Sequence, residues 1–261
     1  MRYLRLLVVQ LRSSLLLAMQ YRSDFLIDAF IEVFWMTTAL VPLMVVYGQR
    51  PSIAGWSFGE ALLVMGWFML LQGVEEGALA PSLTTVVDHI RKGTLDFVLI
   101  KPADAQFLVS TARFSPWRGV NVLTALVVFA FAFHRLGRAP TIGGVALALV
   151  LLVAAIAVLY SLWILTIAAA FYVVRIDNLT FLFSSIFDAA RWPVTIFRGV
   201  VRFVFTFVVP LALMTTYPAQ ALLGTLDVRT FFLSIGGAIA FVLFSRAVWT
   251  RSIGRYTSAS S

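Results

Sequence analysis

The chain contains no cysteine and only two histidines, His89 and His134. The first absence excludes disulfides, thiol catalysis and cysteine-ligated metals together. The second argues against a histidine triad or a histidine metal site. No GxxxxGK[ST] phosphate loop occurs, and neither a GxSxG elbow nor an HExxH pair is present. No soluble segment is long enough to hold an ATPase fold, and a membrane enzyme would have to work with neither a nucleophile nor a metal set. Charge is scarce as well: 12% of residues are charged and 61% are hydrophobic, against about a quarter charged and half apolar in a soluble domain.

What is there instead is long apolar sequence, with a mean hydropathy of +0.95 over 261 residues. Continuous apolar runs long enough to cross ~30 Å of hydrocarbon identify an all-α polytopic membrane protein. A transmembrane barrel would alternate in short segments. Spans are expected at about residues 25–47, 58–79, 119–133, 142–173 and 230–249. Region 178–223 holds two apolar pieces broken at Trp192-Pro193, Arg198, Pro210 and Pro218. Two crossings there would give seven spans; one crossing plus a piece that returns to its own side gives six. Broken apolar helices are tolerated at membrane depth where protein or a watery cavity satisfies the freed backbone.

Charge position favours six. With the N-terminus inside, the cytoplasmic set is Arg2, Arg5, Arg12, Arg22, Arg91, Lys92, Lys101, Arg113, Arg118, Arg175, Arg246, Arg251 and Arg255, whereas the outer set is Arg50, Arg135, Arg138 and Arg229. That asymmetry obeys the positive-inside rule and places both termini in the cytoplasm. Arg191, Arg198 and Arg202 fall on either side according to which broken piece crosses. The net charge of +8 thus reports orientation and not a nucleic-acid partner. Residues 2–23, with Leu4, Leu7, Val8, Leu11 and Leu15 at helical spacing beside Arg5 and Arg12, form the pattern of an amphipathic helix lying against membrane lipids. The arginines interrupt any clean apolar core, so the N-terminus does not read as a cleavable signal.

Two groups of residues are candidates for function. Glu32, Glu75 and Glu76 lie within or at the ends of the first two spans, Glu32 continuing a stripe with Asp24 and Asp28. Ionisable groups in a span usually face the bundle interior or a cavity, so they mark a candidate intramembrane path. Asp188 and Arg191, three apart, are placed to pair. Small residues such as Gly143, Gly144, Gly236 and Gly237 would permit close helix approach. The other group is the polar island at residues 83–102, LTTVVDHIRKGTLDFVLIKP. There Val86, Val87 and Ile90, with Leu83 and Leu95, make a candidate apolar face, and Asp88, His89, Arg91 and Lys92 offer charged contacts. Gly93 is the helix stop, since glycine tolerates the left-handed backbone of a C-terminus.

Residues 91–102, RKGTLDFVLIKP, resemble the RGTLDFxLxKP signature of an ABC-2 type permease family, formerly a domain of unknown function. Tyr21-Arg22-Ser23-Asp24-Phe25, Gly55-Trp56-Ser57 and the segment from Tyr217-Pro218-Ala219 to Leu223 follow in family-like order, so the resemblance covers nearly the whole chain. It implies a six-span, type V exporter-like permease with both termini cytoplasmic, an N-terminal interfacial helix, a cytoplasmic coupling helix within residues 83–102 and a re-entrant segment at 199–222 before the last span. It favours 179–197 as the fifth span. The implied partners are two ABC ATPase subunits, which hold the ATP and Mg while this chain binds no cofactor, and a second permease, identical or homologous. The implied ATPase contact comprises Val86, Val87, Asp88, His89, Ile90, Arg91, Lys92, Gly93, Thr94, Leu95 and Asp96, and the implied location is the bacterial cytoplasmic membrane. A mostly apolar interior suggests an amphiphilic or lipophilic substrate. The alternative is a stand-alone channel or ion-coupled transporter using Glu32 and Glu75.

Overall fold

A computed structural model describes residues 2–20, 22–172 and 177–254. Tyr21, Arg175, Arg255 and the tail to Ser261 lie outside the described residues, as do the side chains of Arg2, of residues 22–26 (Arg22 and Asp24 among them) and of 177–180. Among the described residues the regular structure is helical apart from one hairpin, and five helices are long and apolar enough to cross a membrane, with a bent pair making a sixth if it counts as one span.

Helix α1 (Arg2–Gln20) leaves Leu4, Val8, Leu11 and Leu15 uncovered by protein. Helices α2 (Arg22–Ala39) and α3 (Val41–Gln49) are one apolar rod interrupted at Leu40. Pro42 at the second position of α3 has no N–H to continue the ladder. The Thr37 and Thr38 hydroxyls donate back to the Val33 and Phe34 carbonyls at 2.7 and 2.8 Å. A hairpin, β1 (Ser52–Ile53) and β2 (Trp56–Ser57), follows. Its two central residues, Ala54 at φ 51° and Gly55 at φ 85°, have the doubly positive φ of a tight type I′ turn. Ser57 and Glu60 then close a reciprocal capping box on α4 (Phe58–Val74).

Helix α4 does not stop at the expected end of the second span. It continues through one π turn, Glu75–Leu79, into α5 (Ala80–Arg91), a 34-residue helix from Phe58 to Arg91. The π turn has a local cause. Pro81 cannot donate to Gly77, and its ring crowds that carbonyl; widening the preceding turn relieves the clash, and the Gly77 carbonyl accepts from Ser115 N at 2.8 Å instead. Both other π turns, Val204–Val208 and Ala212–Thr216, also end two residues before a proline, Pro210 and Pro218.

Helix α8 (Gly119–Leu136) runs back along α4. Glycines spaced by seven, Gly59, Gly66 and Gly73, form the contact: a Cβ on each would lie 2.9 Å from Leu136 Cγ, 2.7 Å from Phe129 Cε1 and 2.8 Å from Asn121 Cβ. Small residues at such a seam let two helices approach closely without a hydrophobic drive. Of the four glycines singled out from sequence, only Gly144 has this role, facing the Ala221 carbonyl; Gly143, Gly236 and Gly237 look into open space. Helix α9 (Ile142–Ala168), capped by the Thr141 hydroxyl, packs along α13 (Val228–Ile253), capped by Asp227.

The broken region differs from a simple fifth span. The described part of helix α10 (Asp177–Phe187) ends at Phe187, and two 3-10 turns, Asp188–Arg191 and Val194–Ile196, carry the chain onward. Trp192-Pro193 stops a longer helix because Pro193 has no N–H. The exposed carbonyl and amide are taken by neighbours: Thr215 donates to the Ala190 carbonyl at 2.8 Å, and Val194 N donates to Thr216 Oγ1 at 3.0 Å. Thr195 then accepts from Trp56 Nε1 at 2.8 Å, so the segment reaches the hairpin end of the bundle. Next come α11 (Gly199–Phe203) with its π turn, a 71° bend, and the second π turn with α12 (Tyr217–Leu223). Thr195, Gly199, Gln220 and Asp227 line one cavity; both ends of the bent pair therefore lie at that same hairpin end.

Candidate functional site

At the opposite end from the hairpin, α5 stops at Gly93, whose φ is +64°. Thr94 N donates to the His89 carbonyl at 2.9 Å and Gly93 N to the Ile90 carbonyl at 3.3 Å, the crossed pair of a Schellman cap. His89 Nδ1 and Thr94 Oγ1, 2.8 Å apart, lock the same turn from the side. Leu95 is then fully buried beneath the tip, and the single-turn α6 (Asp96–Leu99) follows.

The apolar face expected on this segment points inward. Leu83, Val86, Val87 and Leu95 are buried against the core, because α5 is the prolongation of a packed helix rather than a separate surface helix. These side chains hold the tip and are not available to a partner in this conformation. Ile90, His89, Gly93, Thr94 and Asp96 are half-buried, whereas Asp88, Arg91 and Lys92 are exposed. Two residues missed in the sequence dominate the surface: Phe97 is 68% and Ile100 77% exposed, with Lys101 and Pro102 beside them. The signal was present in FVLI, where Val98 and Leu99 turn inward and Phe97 and Ile100, three apart on one helical face, turn out.

The return of the loop is tied down by polar contacts. Asp104 caps α7 (Ala105–Ser110), accepting from Phe107 N at 3.0 Å. Its carboxylate also receives a two-pronged contact from Arg246 of α13, at 2.5 and 3.2 Å. That fork holds the Asp104 carboxyl below the usual carboxylate range. Arg246 donates as well to Gln106 Oε1 at 2.6 Å, and Gln106 donates to the Tyr160 hydroxyl of α9 at 2.9 Å. Ser82 Oγ donates to the Arg113 carbonyl at 2.6 Å, and Phe114 N donates to Ser14 Oγ of α1 at 3.1 Å. The loop is thus fastened to α1, α5, α9 and α13.

The intramembrane carboxylates divide. Glu32 of α2 and Glu76 of the π turn converge on one guanidinium, Arg118 of the 3-10 turn Pro116–Arg118. Arg118 lies 2.6 Å from Glu76, and Gln72 Nε2 donates to the other Glu76 oxygen at 3.0 Å. Gly77 makes room, since a Cβ there would sit 3.2 Å from Arg118 Cβ. Glu75 does not join that ion cluster; it is buried in the same π turn. Asp188 and Arg191 pair at 2.5 Å, with the guanidinium 5.2 Å over the Phe68 ring.

A family model for an ABC-2 family transporter protein matches residues 33–260. No curated protein and no solved structure matches the chain. The match takes in the glycine-seamed helix pair, the fastened loop and the proline-broken region together, and by it the chain belongs to the ABC-2 transporter family, whose members are membrane components of ABC transporters that work with ABC ATPase subunits.

Proposed function

We propose that this chain is the permease subunit of an ABC exporter in a bacterial cytoplasmic membrane, pairing with a second permease, identical or homologous, and with two ATPase subunits that carry the ATP and Mg. The loop end faces the cytoplasm, both termini lie on that side, and six crossings result. The segment 179–197 is the fifth, and 199–222 dips in from the outer face and returns. One observation carries the reading: an exposed apolar pair, Phe97 and Ile100, stands at the tip of a 34-residue helix among Arg91, Lys92 and Lys101. Large apolar side chains at the polar end of a membrane protein ask for a protein partner. The surrounding cations fit an apolar groove with an acidic rim on the ATPase. Asp88 and Asp96 flank the same surface.

The ATPase pair, on closing, pushes this tip, and the long helix delivers the displacement into the bilayer. The difference in contacts between closed and open ATPase supplies the coupling free energy. Support for an ion relay through Glu32 is weaker, because its carboxylate is held by Arg118.

The test is co-purification of the tagged chain with its ATPase, followed by ATP hydrolysis and transport in proteoliposomes. Phe97→Asp with Ile100→Asp should cut ATPase recovery about tenfold, the scale of a ~1.4 kcal/mol loss, with unchanged yield of the chain. Unaltered recovery and transport in that double variant would sink the docking surface; transport by the chain without any ATPase would sink the exporter reading.

A further inference from the structure

Two cavities lie along α2. The larger, about 690 Å³, is lined by Leu17, Asp28, Asp88, Arg113, Phe114 and Trp117 among others. The smaller, about 390 Å³, lies nearer the middle of α4 and includes Glu32, Trp35, Met36, Phe68, Gln72 and Arg191. The Arg118 cluster meets both cavities: Glu32 lines the smaller one, Trp117 beside Arg118 lines the larger, and Glu76 stands between Pro81 of the larger and Gln72 of the smaller. Along α2, Asp28 belongs to the larger cavity and Glu32, one turn on, to the smaller. The ion cluster therefore lies between the two open cavities.

From this the geometry points to a gated path for an organic cation with an apolar body, the Glu32–Arg118–Glu76 cluster being the gate. It deepens the transport reading above and rests on it. The ratio of charges sets the sign. Asp28, Asp88 and Glu32 line the cavities against Arg113 and Arg191, and the cluster between them adds Glu76 and Arg118, so acids outnumber bases in a chain whose net charge is +8. The stoichiometry of the gate sets it again. Two carboxylates share one guanidinium, so an arriving cation can take Glu32 while Arg118 keeps Glu76, and no buried carboxylate is left alone. An anion would have to draw Arg118 off both, which strands the buried Glu32, the expensive outcome. Aromatic side chains on either side, Trp117 with Phe114 and Trp35, supply apolar and cation–π contact for the body of the ligand.

The experiment compares tetraphenylphosphonium with tetraphenylborate, ions of like shape and opposite charge, on the full chain in lipid nanodiscs. Quenching of tryptophan fluorescence is read against empty nanodiscs. Tetraphenylphosphonium should bind about tenfold or more tighter than tetraphenylborate, and Glu32→Gln should weaken the cation about tenfold, a factor worth ~1.4 kcal/mol. Equal or tighter binding of the anion, or wild-type cation affinity in Glu32→Gln, overturns the proposal. Should that variant fail to accumulate, Asp28→Asn, at an exposed position, decides by the same criterion. Binding needs no ATPase: failure here with intact ATPase recovery removes the cation path alone, whereas lost ATPase recovery with intact binding removes the exporter reading alone.

Discussion

Two of the arginine–carboxylate clusters among the described residues, those of Arg118 and Arg246, share a chemistry and differ in surroundings. Arg118 sits between Glu32 and Glu76 among packed helices, where the Glu32 side chain is 9% exposed and those of Arg118 and Glu76 are 29% and 30% exposed. Arg246 grips Asp104 at the polar end, where the two side chains are 46% and 35% exposed. The buried cluster has a desolvation penalty that its pairing offsets only while all its members are present. The exposed fork gains little from Coulomb attraction in water; what it has is planar, two-pronged geometry that fixes a direction. One cluster therefore holds structure together, and the other holds a loop in orientation.

The comparison breaks most sharply at Arg118. Arg118→Gln leaves the buried Glu32 and the half-buried Glu76 without a cation and should destabilise the chain by ~3 kcal/mol, the lower end of the cost of orphaning a buried charge. Arg246→Gln should cost no more than ~1 kcal/mol. Unfolding of both variants in mixed micelles by titration with a denaturing detergent measures the difference. Equal losses would show that burial does not separate the two clusters.

The packing that brings Arg118 into place offers a second, smaller lever. Gly77→Val puts branched carbon where a Cβ would already sit 3.2 Å from Arg118 Cβ, so the 3-10 turn must shift and the gate loosen. Overpacking of this kind costs ~1–3 kcal/mol. Gly236→Val, where nothing lies within 4 Å, is the control and should be close to neutral. A similar loss at both positions would mean that the glycines act through helix backbone entropy and not through the close approach.

Much of this was legible from residues alone, and the rest was hidden for physical reasons. Apolar runs, the Gly93 stop and the Asp188–Arg191 pair are local patterns, and local chemistry decides them. The continuation of α4 into α5 was obscured because polar residues after Pro81 read as a loop, although Leu83, Val86 and Val87 at helical spacing were already the inward face of a longer helix. The Gly59, Gly66, Gly73 seam was written in the sequence at a spacing of seven; attention to adjacent glycine pairs passed over it. The segment after Phe187 could not be drawn from its own residues, since its backbone groups are completed by Thr215 and Thr216. Nor does any local pattern pair Asp104 with Arg246, 142 positions away. A charged residue inside the last apolar helix was the available hint that it had a partner.

The smallest effect is expected at Asp104, and its pH dependence gives it a signature. Because the Arg246 fork lowers the Asp104 carboxyl in the folded chain, the contact contributes stability above the ordinary carboxylate value, about 3.9. That contribution disappears as pH falls through the lowered folded value. Asp104→Asn should therefore cost at most ~1 kcal/mol, by an amount that stays flat from about pH 8 to pH 5 and vanishes in stronger acid. Its larger consequence is mechanical. The fork is a charged link between the loop and the last apolar helix, so Asp104→Asn should leave ATP hydrolysis running while transport per ATP falls. Arg246→Lys, which keeps the charge but not the two-pronged geometry, should fall in the same way. Recovery of full transport by Arg246→Lys would show that charge alone orients the loop, and the contrast between the two clusters would then reduce to burial.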